Sequence, residues 1–150
     1  MKVEKIVIGS DHAGYELKMK VIDHLEERGF TVLDVGTDST ESCDYPVFAD
    51  ALCKKIQLGE CSLGILVCGT GIGMSIAANK HAGIRAACCS DTYSAKLTRE
   101  HNDSNVLCFG ARVVGEGLAW ELAETFVNTP FEGGKHARRV GLITDIEERQ

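Results

Sequence analysis

Long apolar runs are what this 150-residue sequence most plainly lacks. None approaches the roughly 20 residues that a membrane-spanning helix requires, so no membrane anchor is expected. A basic excess is missing as well: 16 Lys and Arg stand against 22 Asp and Glu, a formal net charge of -6. That balance speaks against non-specific nucleic-acid binding, which needs a basic footprint. The seven cysteines are odd in number, irregular in spacing and without a C-x-x-C pair, which excludes a disulfide scaffold. No H-x-x-x-H and no cysteine–histidine set stands at ligand spacing, so no metal is expected. One Trp and three Tyr, with no evident stacking loop, argue against a flavodoxin-like flavin carrier. The chain runs almost at once into a strand pattern, so secretion is not expected, and a cytoplasmic protein with reduced thiols is.

What is present is organised around Ile65-Leu66-Val67-Cys68-Gly69-Thr70-Gly71-Ile72-Gly73-Met74-Ser75. The aliphatic run reads as a buried strand ending on a cysteine. Three alternate glycines then break regular structure, and a helix-compatible stretch resumes at Met74. Backbone N–H groups at such a strand-to-helix turn form an anion-binding nest beside the Cys68 thiol. The spacing is not the dinucleotide fingerprint, because Met74 stands where its third glycine belongs, and no Gly-Lys-Ser/Thr follows to make a P-loop. A small anionic substrate is the leading expectation.

The remaining periodicities predict strands at Lys5–Ser10, Thr31–Val35, Leu63–Cys68, Ile84–Cys89 and Val106–Gly110. Between them, Leu17, Val21 and Leu25 mark one helix with Gly29 past its end, and Pro46 opens another running to about Gln57. Ser90 or Asp91 caps a helix that reaches His101, and Leu118, Leu122 and Phe126 mark the next. Strands of five or six residues alternating with helices describe one domain, residues 1–150. Its class is a three-layer, doubly wound, Rossmann-like α/β fold with a mostly parallel five-stranded sheet and helices on both faces. A last helix from about Lys135 shows Ala137, Val140, Ile143 and Ile146. It follows the final strand, so its apolar stripe suggests a second subunit.

Adjacent first and third strands would bring Asp11 and His12 beside Cys68 at the carboxyl ends, where such sheets bind ligands. Lys135, Arg138 and Arg139 form a local basic cluster suited to a phosphate. Cys53, Cys61, Cys88, Cys89 and Cys108 read as reduced thiols, several in the core. His24, His81 and His136 read as surface or supporting residues.

The sequence resembles the B-type ribose-5-phosphate isomerases, within the sugar-phosphate isomerase group that also contains the galactose-6-phosphate isomerase subunits. The resemblance is carried by Gly9-Ser10-Asp11-His12-Ala13-Gly14, Asp44-Tyr45-Pro46, Cys68-Gly69-Thr70-Gly71-Ile72-Gly73, Arg99-Glu100-His101-Asn102-Asp103, Gly110-Ala111-Arg112 and Glu132-Gly133-Gly134-Lys135-His136. It implies interconversion of D-ribose 5-phosphate and D-ribulose 5-phosphate through a cis-enediolate, a step of the non-oxidative pentose phosphate pathway, without metal or organic cofactor. Cys68 would be the base, with Thr70 hydrogen-bonded to its sulfur, and His101 would open the sugar ring. Asp11 would handle a hydroxyl proton. Tyr45, Asn102, Arg112 and the turn from Gly69 through Thr70, Gly71 and Ile72 to Gly73 would position the substrate. His12, Lys135 and Arg139 would grip the phosphate, although many relatives carry arginine where Lys135 stands, and lysine lacks the bidentate fork. The resemblance further implies a homodimer, possibly a dimer of dimers. Its site would be shared, with the Cys68 side on one chain and His101, Asn102 and Arg112 on the other. An allose or galactose 6-phosphate isomerase and a non-catalytic sugar-phosphate-binding subunit are the alternatives.

Overall fold

Three short aliphatic runs make the centre of the sheet. β1 (Lys5–Ser10), β3 (Leu63–Cys68) and β5 (Val106–Gly110) are buried along almost their entire length, as strands covered on both faces must be. β2 (Thr31–Asp34) and β4 (Ala86–Cys88) are shorter and less buried. The structure is a computed structural model that describes residues 4–150. Its five strands run in the order β2-β1-β3-β5-β4, and every pair is parallel.

The six helices among the described residues take the remaining positions. α1 (Tyr15–Glu27), α4 (Thr92–Asn102) and α5 (Glu116–Asn128) contribute to one apolar layer. α2 (Tyr45–Gln57) and α3 (Ile72–Ala78) form the other. The stripes read from the sequence are the buried ones: Val21, Ile22 and Leu25 on α1, and Leu122 and Phe126 on α5. Burying each such large side chain contributes roughly 1.5–3 kcal/mol. Gly29 stands just past α1 with a φ of +93°, the conformation that favours glycine after a helix end. α6 (Lys135–Glu148) has no buried residue. Its Leu142, Ile143 and Ile146 are 51%, 48% and 50% exposed, so the expected apolar stripe is uncovered in the single chain.

Several boundaries move. β2 ends at Asp34 rather than Val35, and β4 keeps only residues 86–88 of the expected 84–89. At β4 the side chain of Asn79 takes both backbone groups of Ala86, at 2.8 and 2.9 Å, while Asn105 Oδ1 takes the Arg85 N–H. Asn105 thus takes a bond at Arg85 that the ladder would otherwise supply, while Asn79 satisfies Ala86 inside the strand. α4 starts at Thr92, with Asp91 accepting the Ser94 N–H at 2.7 Å as its cap.

Lys18 adds a polar fastening inside the fold. It is fully buried on α1 and donates to Asp34 Oδ1 at 2.8 Å and to the Thr37 carbonyl. One ammonium thus joins α1, the end of β2 and the loop beyond it. That loop reaches β1 as well, since Ser10 N–H donates to the Gly36 carbonyl and Thr37 N–H to the Ser10 carbonyl.

Candidate active site

β1 and β3 are neighbours, paired Ser10 to Val67 at their carboxyl ends. The chain leaves β1 toward β2 on one side, while β3 and the remaining strands lie on the other. The crevice between β1 and β3 is thus the switch point of the sheet. Asp11, 7% exposed, lies at this point with its N–H donating to the Val67 carbonyl at 3.2 Å. Its carboxylate Oδ1 accepts the Gly14 N–H at 3.0 Å. His12 follows, and its Nδ1 accepts the Cys43 N–H at 3.2 Å. A backbone N–H can only donate, so the neutral ring carries its proton on Nε2.

Cys68 ends β3 with 5% exposure, and its Sγ accepts a hydrogen bond from the Gly71 N–H at 3.1 Å. A donor aimed at the sulfur serves a negatively charged atom better than a neutral thiol. Gly71 is required on two counts. Its φ is +83°, and a Cβ there would stand 2.7 Å from the Phe109 backbone. Gly110 admits the turn from the other side: a Cβ on it would meet Thr70 Cα at 2.5 Å. The loop is therefore wedged against the end of β5, with the thiol held between buried strands.

Two further expected residues overlie this loop. A Cβ built on Gly73 would stand 2.8 Å from the Tyr45 ring, and one on Gly69 would stand 3.1 Å from Arg112 Nη1. Tyr45 and Arg112 thus flank the turn within the same chain. The resemblance places Arg112 on the subunit opposite Cys68, yet its guanidinium lies on the Cys68 side of its own chain. Thr70 also departs from expectation. Its Oγ1 accepts the Ile72 N–H at 3.2 Å, closing the first turn of α3, and it makes no bond to the sulfur.

A second group forms elsewhere, at the end of α4 and the start of α6. His101 stacks on His136 with ring centroids 4.1 Å apart and planes 11° from parallel. The Glu132 carboxylate stands 3.7 Å from His101 Nε2 and 3.5 Å from His136 Nε2. Burial, then the neighbouring His101, pushes the His136 imidazole below its ordinary range. Asn102 is exposed beside His101, and Lys135 and Arg139, exposed on the first turns of α6, are close enough to lower His136 further. Asp103 turns the chain at a φ of +46°, secured by Arg99 through its carboxylate and the Ser104 carbonyl. Arg85 holds the Asn102 and Asp103 carbonyls. Among the described residues no hydrogen bond, ion pair or ring stack joins this group to the Cys68 group.

Sequence reasoning missed Arg85, Arg99 and Glu132, and left His136 as a supporting residue by default. Cys88, read as a reduced thiol, is free. Cys88 is exposed, and its Sγ lies 3.7 Å from the Thr70 carbonyl, while Cys89, one residue on, faces the core. Burial pushes Cys53 up to about 12 and Cys89 up to about 11, and Cys108 rises as well. These are inert core thiols.

Fold and site define a doubly wound α/β protein that gathers a thiol, a carboxylate and an imidazole at its strand ends. The chain belongs to the Ribose/Galactose Isomerase family, whose sequence model matches residues 6–143. It is 51% identical over 148 residues to ribose-5-phosphate isomerase B of Escherichia coli K12, covering 99% of each chain. The structure of Clostridium thermocellum ribose-5-phosphate isomerase B superposes with a TM-score of 0.95 at 52% identity, covering 97% of this chain and 98% of that one. The type B enzyme of Trypanosoma brucei gives a TM-score of 0.92 at 42% identity, covering 97% and 99%.

Proposed function

We propose that this chain interconverts D-ribose 5-phosphate and D-ribulose 5-phosphate by proton transfer through a cis-enediolate. The observation that carries the reading is the Cys68 sulfur, held at the end of β3 under the Gly71 N–H and one strand away from Asp11. Cys68 takes the proton from C2 of the open-chain aldose and returns it to C1. The same turn's dipoles offset the negative charge that develops on the enediolate oxygen. Asp11, its backbone fixed to Val67, moves or orients a hydroxyl proton of the sugar. His101 passes a proton to or from the ring oxygen, and Glu132 beside it offsets the imidazolium charge. His12, Lys135 and Arg139 hold the phosphate, while Tyr45, Asn102 and Arg112 align the sugar.

The working unit is a homodimer in the cytoplasm, with Cys68 of one chain facing His101 of the other. Two observations support this. Among the described residues no hydrogen bond, ion pair or ring stack joins the Cys68 and His101 groups within one chain, and α6 has no buried residue. A cleft also lies away from Cys68, where Ile84, Ile143 and Ile146 line a groove between α6 and the start of β4. Its apolar walls suit a second copy of the chain. No helix among the described residues is long and apolar enough to cross a membrane.

The test is a coupled assay on ribose, allose and galactose phosphates with one enzyme preparation. Ribose 5-phosphate is expected to have the highest kcat/KM. A hexose 6-phosphate turned over faster would transfer the reading to that sugar, and no turnover of any would remove it.

A further inference from the structure

We propose that His101, Glu132 and His136 form a binding site for a borderline transition-metal dication of the zinc class, which competes with sugar-ring opening. The ligand atoms of the three side chains all lie within 4.8 Å of one another. With bonds of about 2.0–2.2 Å, a tetrahedral zinc site spaces its ligand atoms by roughly 3.3–3.5 Å. The two N···O separations, 3.7 and 3.5 Å, are already close to that spacing. The rings are stacked rather than convergent, so the remaining adjustment is a turn of the more exposed His101 ring.

The backbone fixes the set before any ion arrives. Glu132 N–H donates to the Glu100 carbonyl at 3.1 Å, fastening the Glu132 loop to α4 one residue before His101. His136 N–H donates to the Gly133 carbonyl at 3.1 Å, so Glu132 and His136 stand i, i+4 across the start of α6.

The ligand set selects the metal. Two imidazoles and one carboxylate suit zinc, cobalt, nickel or copper, whereas magnesium and calcium require mostly oxygen. Lys135 and Arg139 face the same end of α6 and oppose positive charge, so binding rests on the nitrogen lone pairs and the Glu132 carboxylate. Three protein ligands leave one position open for water or a sugar hydroxyl. An ion there occupies the His101 nitrogen that the proposed isomerisation uses. The inhibitory consequence, unlike the binding itself, rests on that functional reading.

The probe is Co2+ added to the chelator-treated full-length protein and followed by visible absorption, with Zn2+ displacing it. The expected result is one ion per chain, with ligand-field bands and no thiolate charge-transfer band. His136→Gln and Glu132→Gln should each weaken binding by on the order of tenfold or more. Circular dichroism checks that both variants fold, and His101→Gln supplies a third ligand deletion. A thiolate band, or an affinity unchanged in all three variants, would overturn the site. Zn2+ should also inhibit turnover of ribose 5-phosphate competitively, and Glu132→Gln should relax that inhibition by the factor it weakens binding. Intact cobalt spectra without any isomerase activity would refute the functional reading alone. Isomerase activity without cobalt binding would refute the metal site alone.

Discussion

The two halves of the candidate site are held in different ways. Around Cys68 the fastening is backbone: Gly71 N–H to sulfur, Asp11 N–H to the Val67 carbonyl, and Gly110 packed against Thr70. Around His101 the fastening is side chain: Arg85 and Arg99 clamp the turn after α4, and Glu132 bridges two half-open rings. The Cys68 half sits where three buried strands end, so its geometry follows from sheet register. The His101 half projects from the ends of two helices, one of which, α6, has no fully buried residue. The first half is suited to fixing a reacting atom within a fraction of an ångström. The second can adjust, and in the proposed dimer a neighbouring chain completes it.

That contrast is tested most severely at the sulfur. Cys68→Ala should lower kcat by roughly a hundred- to ten-thousand-fold, the usual range for removing a positioned acid or base. KM should change little, because the proposed phosphate contacts of His12, Lys135 and Arg139 are left in place. Isomerisation by the parent in deuterated water should place label in the product, since the proton passes through an exchangeable group. A variant that keeps most of its turnover would remove Cys68 from the chemistry.

The Cys68 half also depends on a fastening outside the site. Asp34→Ala removes the carboxylate partner of the buried Lys18 ammonium and leaves it the Thr37 carbonyl and the face of the Tyr15 ring. Losing one member of a fully buried pair costs about 3–5 kcal/mol, and Asp34 is 36% exposed, so a loss of roughly 2–4 kcal/mol is expected. Lys18→Met in the same background removes the stranded charge and should recover part of it. Urea denaturation gives both values. A loss within the range of an ordinary surface pair, about 1 kcal/mol or less, would show that Lys18 is not the fastening described.

The same division sets what could be read from sequence. The strands, the helix stripes and the Cys68 turn all rest on local pattern, and β1, β3 and β5 fall at the expected residues. The expected β4 runs past the strand because Asn105, 20 residues from Arg85, takes the Arg85 N–H in place of a ladder bond. Arg85 and Arg99 read as ordinary charges, since beside the Asp103 carboxylate their partners are backbone carbonyls, which carry no sequence signature. The Glu132–His136 spacing was visible, but its meaning depends on His101, more than thirty residues away, reaching the same place. Thr70 was assigned to the sulfur by resemblance, whereas the turn geometry gives it the Ile72 N–H instead.

A smaller effect is expected at the phosphate residues. Arg139→Ala and Lys135→Ala should each raise KM for ribose 5-phosphate by about ten- to a hundredfold, the equivalent of one charge-assisted hydrogen bond. kcat should stay within a few-fold of the parent, and the defect should shrink with a non-phosphorylated sugar. If Arg139→Ala leaves KM unchanged, the basic start of α6 serves the subunit contact rather than the substrate.

The mildest signal tests whether the two halves meet across subunits. Cys68→Ala and a folded, inactive His101 variant are each purified, then mixed and allowed to exchange chains. In a two-fold symmetric heterodimer one site collects both lesions and the other collects neither. Random exchange makes about half of the dimers mixed, each with one intact site, so activity should return to about a quarter of the parent value. Its return should follow the rate of subunit exchange, measured separately with a tagged chain. If both residues of a site came from one chain, every site in the mixed dimer would carry one lesion, and activity would not recover. Inactive but demonstrable heterodimers would therefore place Cys68 and His101 in the same chain's site, and the exposed stripe of α6 would require another explanation.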